Sequence, residues 1–258
     1  MNELLAIVRR LRDPDTGCPW DLEQTFSSIA PYTVEEAYEV MDAVEKNDVE
    51  GLKGELGDLL FHVALYAQMA EEKGLFDFND VVEGVAHKMR CRHTHVFEPN
   101  AVKTKEELNA AWEDKKALER AEKDAHAGVL DDVAAALPAL KRAQKLQKRA
   151  ARVGFDWPEL EPVLDKLDEE IDELKEALSE KQGDERIQEE LGDVLFSVVN
   201  LSRHLGGDAE GALRGTNAKF ERRFRFIENL LAKKGRTVEQ ADLDELETYW
   251  LKAKAAVG

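Results

Sequence analysis

Apolar residues recur every three or four positions along nearly all of this 258-residue chain, the spacing of helices that bury one face. No convincing alternating run predicts a strand, although RHTHVF (92–97) reads as a short extended piece. Prolines are few and mark breaks between helices: Pro14, Pro19, Pro31, Pro99, Pro138, Pro158 and Pro162. The pattern predicts an all-α fold.

Two apolar runs of buried-helix character carry the same intrusion. GELGDLLFHVALY (54–66) holds Glu55, Gly57 and Asp58, and EELGDVLFSVVNL (189–201) holds Glu190, Gly192 and Asp193. They belong to an internal duplication. EEAYEVMDAVE (35–45) matches EEIDELKEALS (169–179) and ELGDLLF (55–61) matches ELGDVLF (190–196), at offsets of 134 and 135 residues. KMRCR (88–92) then matches KFERR (219–223), and WEDKK (112–116) matches WLKAK (250–254). The approach to each half also repeats, as TGCPWD (16–21) and VGFDWP (153–158). The chain therefore reads as two tandem helical domains, residues 1–120 and 121–258, with the boundary inside 119–138, where a charged helix end gives way to small residues.

Helical geometry gives the acids a common phase. At about 100° per residue, counting from Glu36 places Glu39 near 300°, while Ala37, Val40, Met41 and Val44 fill roughly 40° to 140°. Counting from Glu55 places Asp58 and the apolar set Leu56, Leu59, Leu60 and Val63 at about the same angles. The second repeat agrees, with Glu170 and Glu173 beside Ile171, Leu174 and Leu178, and Glu190 and Asp193 beside Leu191, Val194, Leu195 and Val198. Each helix thus carries two acids one turn apart on the edge of its core-facing stripe. An antiparallel hairpin packed along those stripes would bring four carboxylates together. Uncompensated, that costs on the order of several kcal/mol in desolvation and repulsion. A hard divalent cation is the fitting compensator, and all-oxygen ligation suits Mg²⁺ or Mn²⁺. Gly57 and Gly192, lacking side chains, would admit a close neighbour. An isolated E-x2-E is ordinarily a solvated face; its recurrence at matched phase in two linked pairs is what points to metal.

Composition narrows the chemistry. The chain is 43% hydrophobic and 35% charged, with a net charge of −18. That field opposes nucleic acid and anionic membranes, so a phosphate substrate would need metal or local basic residues. Cys18 and Cys91 form no CxxC, so neither a disulfide framework nor a zinc site is supported. MNELLAIVRRLRD reads as an amphipathic helix rather than a signal peptide, no run is long enough for a membrane span, and the cytoplasm is the expected location. KRAQKLQKRAAR (141–152) is the one basic stripe and reads as domain packing or acid pairing. Di-iron carboxylate bundles need Glu-x-x-His on two helices; here His62 has Ser197 as its counterpart, and redox iron is disfavoured.

Magnesium on carboxylates usually shares its remaining positions with phosphate. Lys219 and Arg223, one turn apart, suit phosphate oxygens, as Lys88 and Arg92 do in the first repeat. Trp250 offers a flat face for a base, with Lys254 a turn later, matching Trp112 and Lys116. Taken singly, Lys219 and Arg223 are a basic edge and Trp250 a core aromatic; their ordered recurrence beside the acid helices argues for binding. Lys166 stands one turn before Glu170, in reach of the site or of an acid.

E-E-x-x-E followed by E-L-G-D on the next helix, doubled, with CPWDLEQTFSSIAPYTVEEAYEV in front and KFERRF behind, resembles the MazG family of nucleoside triphosphate pyrophosphohydrolases in the all-α NTP pyrophosphatase superfamily. The resemblance covers essentially the whole chain. It implies a homodimer whose helices build four-helix-bundle active sites, Mg²⁺ dependence, hydrolysis of NTPs and dNTPs to NMP and pyrophosphate, and a house-cleaning or stress-related role. Carried over by position, it implies metal ligation by Glu170, Glu173, Glu190 and Asp193, and nucleotide contacts from Lys219, Arg223, Trp250 and Lys254. It places the activity in the C-terminal half. The N-terminal set, Glu36, Glu39, Glu55 and Asp58, is nonetheless intact, and the visible departure of that half is HTHVFEP where the second continues as RFRFIENL. Glu169 or Glu170 is the expected general base. A narrower substrate (dUTP or a phosphoribosyl-ATP-like nucleotide) and a catalytically silent helical dimer that binds partner proteins are the rival readings.

Overall fold

A computed structural model of the chain describes residues 2–97, 104, 107–108, 111–112, 115 and 128–257. No strand occurs among them. The chain divides into two compact units, Met1–Glu122 and Lys123–Gly258. Part of the expected boundary segment, residues 119–127, lies outside the described residues, as does Lys116.

The first unit runs α1 (Asn2–Leu11), α2 (Pro19–Glu23), α3 (Phe26–Lys46), α4 (Val49–Glu72), α5 (Phe78–Arg92) and a single turn, α6 (Thr94–Phe97). RHTHVF is therefore helical rather than extended: His93 Nδ1 lies 2.8 Å from the Met89 carbonyl at the end of α5, and the next turn follows directly. Pro31 is a second departure from expectation, since it stands inside α3 rather than at a break.

Local chemistry sets the ends of the central hairpin, α3–α4. Thr25 Oγ1 accepts from the Ser28 amide at 3.1 Å while the Thr25 amide donates to Ser28 Oγ at 2.8 Å, closing a capping box on α3. Asp48 caps α4 by accepting from the Gly51 amide at 2.9 Å. Between them Asn47 takes the left-handed conformation, φ 55°, which ends α3 and turns the chain. The core gathers where α1 crosses this hairpin. Val8, Ile29, Ala64, Leu65 and Met69 are buried, with Leu4, Leu5, Phe26, Phe61, Tyr66 and Phe78 packed around them. Each of the larger side chains contributes about 1.5–3 kcal/mol. Arg12, following α1, donates to both Glu72 carboxylate oxygens, at 2.7 and 2.6 Å, and fixes α1 to the end of α4.

The second unit comprises α7 (Ala139–Arg152), α8 (Glu161–Glu180), α9 (Asp184–His204), α10 (Ala209–Ala232), a 3₁₀ turn (Val238–Gln240) and α11 (Leu243–Val257). The α8–α9 hairpin repeats α3–α4, and Lys181, φ 52°, takes the place of Asn47. α7, the expected basic packing helix, lies on α9 and α10. It turns amides inward: Gln144 Nε2 donates to the Gly207 carbonyl at 2.7 Å and Gln147 Nε2 to the Phe196 carbonyl at 2.9 Å. A separate cluster of Ile227, Leu231 and Tyr249 joins α10 to α11. No helix among the described residues is long and apolar enough to cross a membrane.

Candidate metal and nucleotide site

Both hairpins bring their acids together. In the first unit Glu36 and Glu39 of α3 and Glu55 of α4 each place a carboxylate oxygen within 4.8 Å of the others. In the second, Glu170 of α8 and Glu190 and Asp193 of α9 do the same. The fourth acid stands outside each triplet, and it differs between halves. Asp58 is exposed but its charge acts on Glu36, Glu55 and His62; Glu173 is half-buried and its charge acts on Arg186.

The faces are reversed relative to the sequence expectation. Glu170 and Glu190 are 7% and 2% exposed, in the seam of the hairpin, whereas Leu178, Leu191, Leu195 and Val198, expected to face the core, stay largely open to solvent. In the first unit Met41, Val44, Leu56 and Leu60 are likewise exposed. Within one chain the hairpin closes on its acids and leaves its apolar stripe outside. Gly57 and Gly192 lie on that outer region, and a Cβ on either would meet nothing within 4 Å.

The halves neutralise their acids differently. In the second, Lys166 Nζ lies 2.9 Å from both Glu169 and Glu170, and Arg186 pairs with Glu189 at 3.2 Å and also with Glu190. These partners raise the pKa of Lys166 and of Arg186. In the first half Tyr32 and Gly51 stand at the corresponding positions. There, burial first and then neighbouring carboxylates push Glu36 and Glu55 above the ordinary glutamate value, and Glu39 adds a hydrogen bond to Glu55.

The donor sets fit a hard divalent cation. Two oxygens on one Mg²⁺ at about 2.1 Å are separated by about 3–4 Å, so clusters this tight need only small side-chain rotations to share one. Like-charged, oxygen-only groups drawn into a hairpin seam are the donors such an ion selects.

Glu170 and Asp193 also border a cleft of about 600 Å³, lined among others by Phe155, Trp157, Lys166, Phe196, Asn200 and Arg203. Lys219, Arg223, Trp250 and Lys254 do not line it; they belong to α10 and α11. Arg223 lies over the Trp250 ring at 5.6 Å, and the Phe220 ring sits 5.2 Å from it. Lys219 is half-buried and Lys254 exposed. The first half repeats the pairing, with Arg92 over Trp112 at 5.3 Å.

A family model described as the MazG nucleotide pyrophosphohydrolase domain matches twice, over residues 24–97 and 159–225. The chain belongs to the MazG family. It is 52% identical to a nucleoside triphosphate pyrophosphohydrolase of Escherichia coli (strain K12), over 98% of this chain and 97% of that one. It is 40% identical to the nucleoside triphosphate pyrophosphohydrolase/pyrophosphatase MazG of Thermotoga maritima, over 98% and 95%. A solved mazG-related protein from Thermotoga maritima aligns with 45% of this chain and 99% of its own, at 29% identity and a TM-score of 0.39.

The two MazG segments contain both acid hairpins. The second reaches into α10, so it includes Lys219 and Arg223 but not Trp250 or Lys254. Sequence reasoning overlooked the cleft wall. Asp156 binds the Arg203 guanidinium through both carboxylate oxygens, Nη1 donating at 2.8 Å and Nη2 at 2.5 Å, and that guanidinium holds the Asp156 carboxyl below its usual range. The repeated VGFDWP segment is the available signal, but nothing in it names a partner 47 residues away.

Proposed function

We propose that this chain is a nucleoside triphosphate pyrophosphohydrolase. It takes NTPs and dNTPs, requires Mg²⁺ or accepts Mn²⁺, and releases NMP and pyrophosphate in nucleotide house-cleaning or stress. The observation that carries this reading is the placement of Glu170, Glu190 and Asp193 in one cluster, two of them at the border of a cleft of nucleotide size. Family membership and the names of the E. coli and Thermotoga relatives agree with it.

Glu170, Glu190 and Asp193 would hold the ion, with Glu173 completing the set. The bound ion would supply charge neutralisation at the triphosphate and acidify a water. Glu169, which Lys166 holds together with Glu170, or Glu170 itself, would accept the proton of the attacking water. The water oxygen bonds to the α-phosphorus, the bond from that phosphorus to the bridging oxygen breaks, and pyrophosphate leaves with the electron pair. Lys219 and Arg223 would balance the charge of the departing pyrophosphate, with Trp250 and Lys254 in the same nucleotide-contacting set. The intact N-terminal set, Glu36, Glu39, Glu55 and Asp58, lacks these built-in cations and is assigned a secondary role.

The working form is a homodimer in the cytoplasm, built from the domains 1–120 and 121–258. The exposed stripes on α3–α4 and α8–α9 support this: an apolar surface of that kind on a two-helix hairpin is covered when a second hairpin completes a four-helix bundle.

Incubating the protein with ATP, dCTP and Mg²⁺ and identifying the products tests the proposal. NMP and pyrophosphate are expected, and Glu173→Ala and Asp193→Ala should abolish their release without loss of helical content. Full turnover in both variants, or orthophosphate as the product, would refute it.

A further inference from the structure

One face of α9 carries, in order, Asp193, Phe196, Ser197 and Asn200, the spacing of a single helical stripe, and all four line the cleft. Asp193 belongs to the acid cluster. Asn200 stands two turns on, roughly 10 Å along the axis. A nucleotide with its phosphates at the acids would pass its sugar over Phe196 and bring its base to Asn200. Phe155 and Trp157, 82% and 41% exposed, offer flat apolar faces beside that path.

The orientation of the Asn200 amide is fixed. Its side chain is only 9% exposed, and its Oδ1 accepts from Arg203 Nε at 3.0 Å and from Arg203 Nη2 at 2.7 Å. A guanidinium has no acceptor, so the amide does not turn round. Nδ2, a donor, is what Asn200 has left to offer. Arg203 is in turn held by Asp156, which belongs to the same segment as Phe155 and Trp157. The wall that would face the base ring and the group that would read its edge are thus joined through one guanidinium.

We infer that Asn200 is a specificity-determining residue that donates from Nδ2 to the nucleobase, favouring bases with a carbonyl oxygen at that edge (uracil, guanine) over bases with an amino group there (cytosine, adenine). Two donors facing each other leave both unpaired, which is the larger part of the discrimination. Asp156 and Arg203 are positioning residues for this contact. The inference rests on the nucleotide reading of the site and deepens it.

Rates of pyrophosphate release from UTP and CTP with Mg²⁺, together with calorimetric Kd values for their α,β-methylene analogues, test it. Wild type is expected to favour the uracil nucleotide by roughly ten-fold in both kcat/KM and Kd. Asn200→Asp keeps an oxygen for Arg203 and puts an acceptor in place of Nδ2, so the preference should reverse toward cytosine. Asp156→Asn should shrink the uracil preference chiefly through KM. Equal kcat/KM for UTP and CTP in wild type would overturn the inference without any variant, and it is what a donor directed at the O2 shared by both pyrimidines would give. A uracil preference surviving Asn200→Asp would overturn it too. Failure of the two readings is distinguishable: no turnover of any nucleotide defeats the pyrophosphohydrolase proposal, whereas brisk turnover with a flat base profile defeats this inference alone.

Discussion

Leu65 and Asn200 occupy the same place in their repeats, 135 residues apart, ten residues beyond Glu55 and Glu190. Leu65 is fully buried among Val8, Ile29 and Met69, while Asn200 lies on the wall of an open cleft. The helix that crosses each hairpin differs in kind as well. α1 drives Val8 into the seam, whereas α7 presents Gln144 and Gln147, whose Nε2 groups donate to backbone carbonyls. Each half also locks its approach segment with an arginine and a carboxylate, but with the roles exchanged. Arg12 reaches Glu72 on α4, and Asp156 reaches Arg203 on α9. One duplicated scaffold has therefore been closed with hydrocarbon in one copy and left open in the other, with a largely apolar cleft in which Asn200 and Arg203 are among the polar groups. Shared acids do not make the two sites equivalent; what surrounds them separates a packed hairpin from one with room for a ligand.

The sharpest way to break this contrast is to neutralise matching acids. Glu190→Gln should lower pyrophosphate release by roughly 10²–10³-fold or more, while Glu55→Gln should leave it within about two-fold, measured on the full chain with ATP. Equal losses would mean that both halves turn over substrate.

Next in size is an exchange of the diverged pair. Leu65→Asn places an amide in a closed apolar cluster and should destabilise the first half by about 2–4 kcal/mol in urea unfolding. Asn200→Leu takes two hydrogen bonds from Arg203, which keeps Asp156 as a partner, and should cost less, about 1–2 kcal/mol.

Arg186 supplies a smaller effect. Glu190 is almost fully buried and Arg186 pairs with it, so Arg186→Ala in chelator should lower the urea midpoint of the second half. Saturating Mn²⁺ should remove most of that difference, and calorimetry should show tighter Mn²⁺ binding, since a competing cation has gone. Unchanged affinity would separate Arg186 from the acid cluster.

The smallest effect is a pH dependence confined to the first half. Burial, then the Glu39 charge and a hydrogen bond with it, raise Glu55 above 4.5. A carboxyl with a raised folded-state pKa favours folding while protonated and loses that contribution as pH climbs through the raised value. In chelator, Glu55→Gln should therefore melt above wild type at pH 7, with the gap closing toward pH 4.5, and Mg²⁺ should narrow it at pH 7. A gap independent of pH would remove the like-charge explanation.

The hairpins and the convergence of their acids were legible because a helix places residues three or four apart on one side whatever surrounds it. Which side turns inward was not. Leu191 and Leu195 make the same periodic pattern whether their own chain or another covers them, and periodicity carries no record of the cover. Asn200 was invisible for a related reason: one amide in an apolar run looks like a tolerated exception until Arg203 and Asp156 are seen to hold it. The Lys166 contacts with Glu169 and Glu170 follow from spacing alone; the Asp156–Arg203 pair, 47 residues apart, does not.

The left-handed residues at Asn47 and Lys181 have a mechanical consequence. Each ends one acid-bearing helix and begins a joint before the next, two residues long in the first half and three in the second. Both hairpins nevertheless gather their acids, so the added residue is absorbed in the joint and the packing of the two helices, not the length of the link, sets their phase. The tolerance ends where the helix begins: a residue inserted between Asp184 and Glu190 would turn everything beyond it by about 100°, carrying Glu190 and Asp193 away from Glu170 while every side chain remained present.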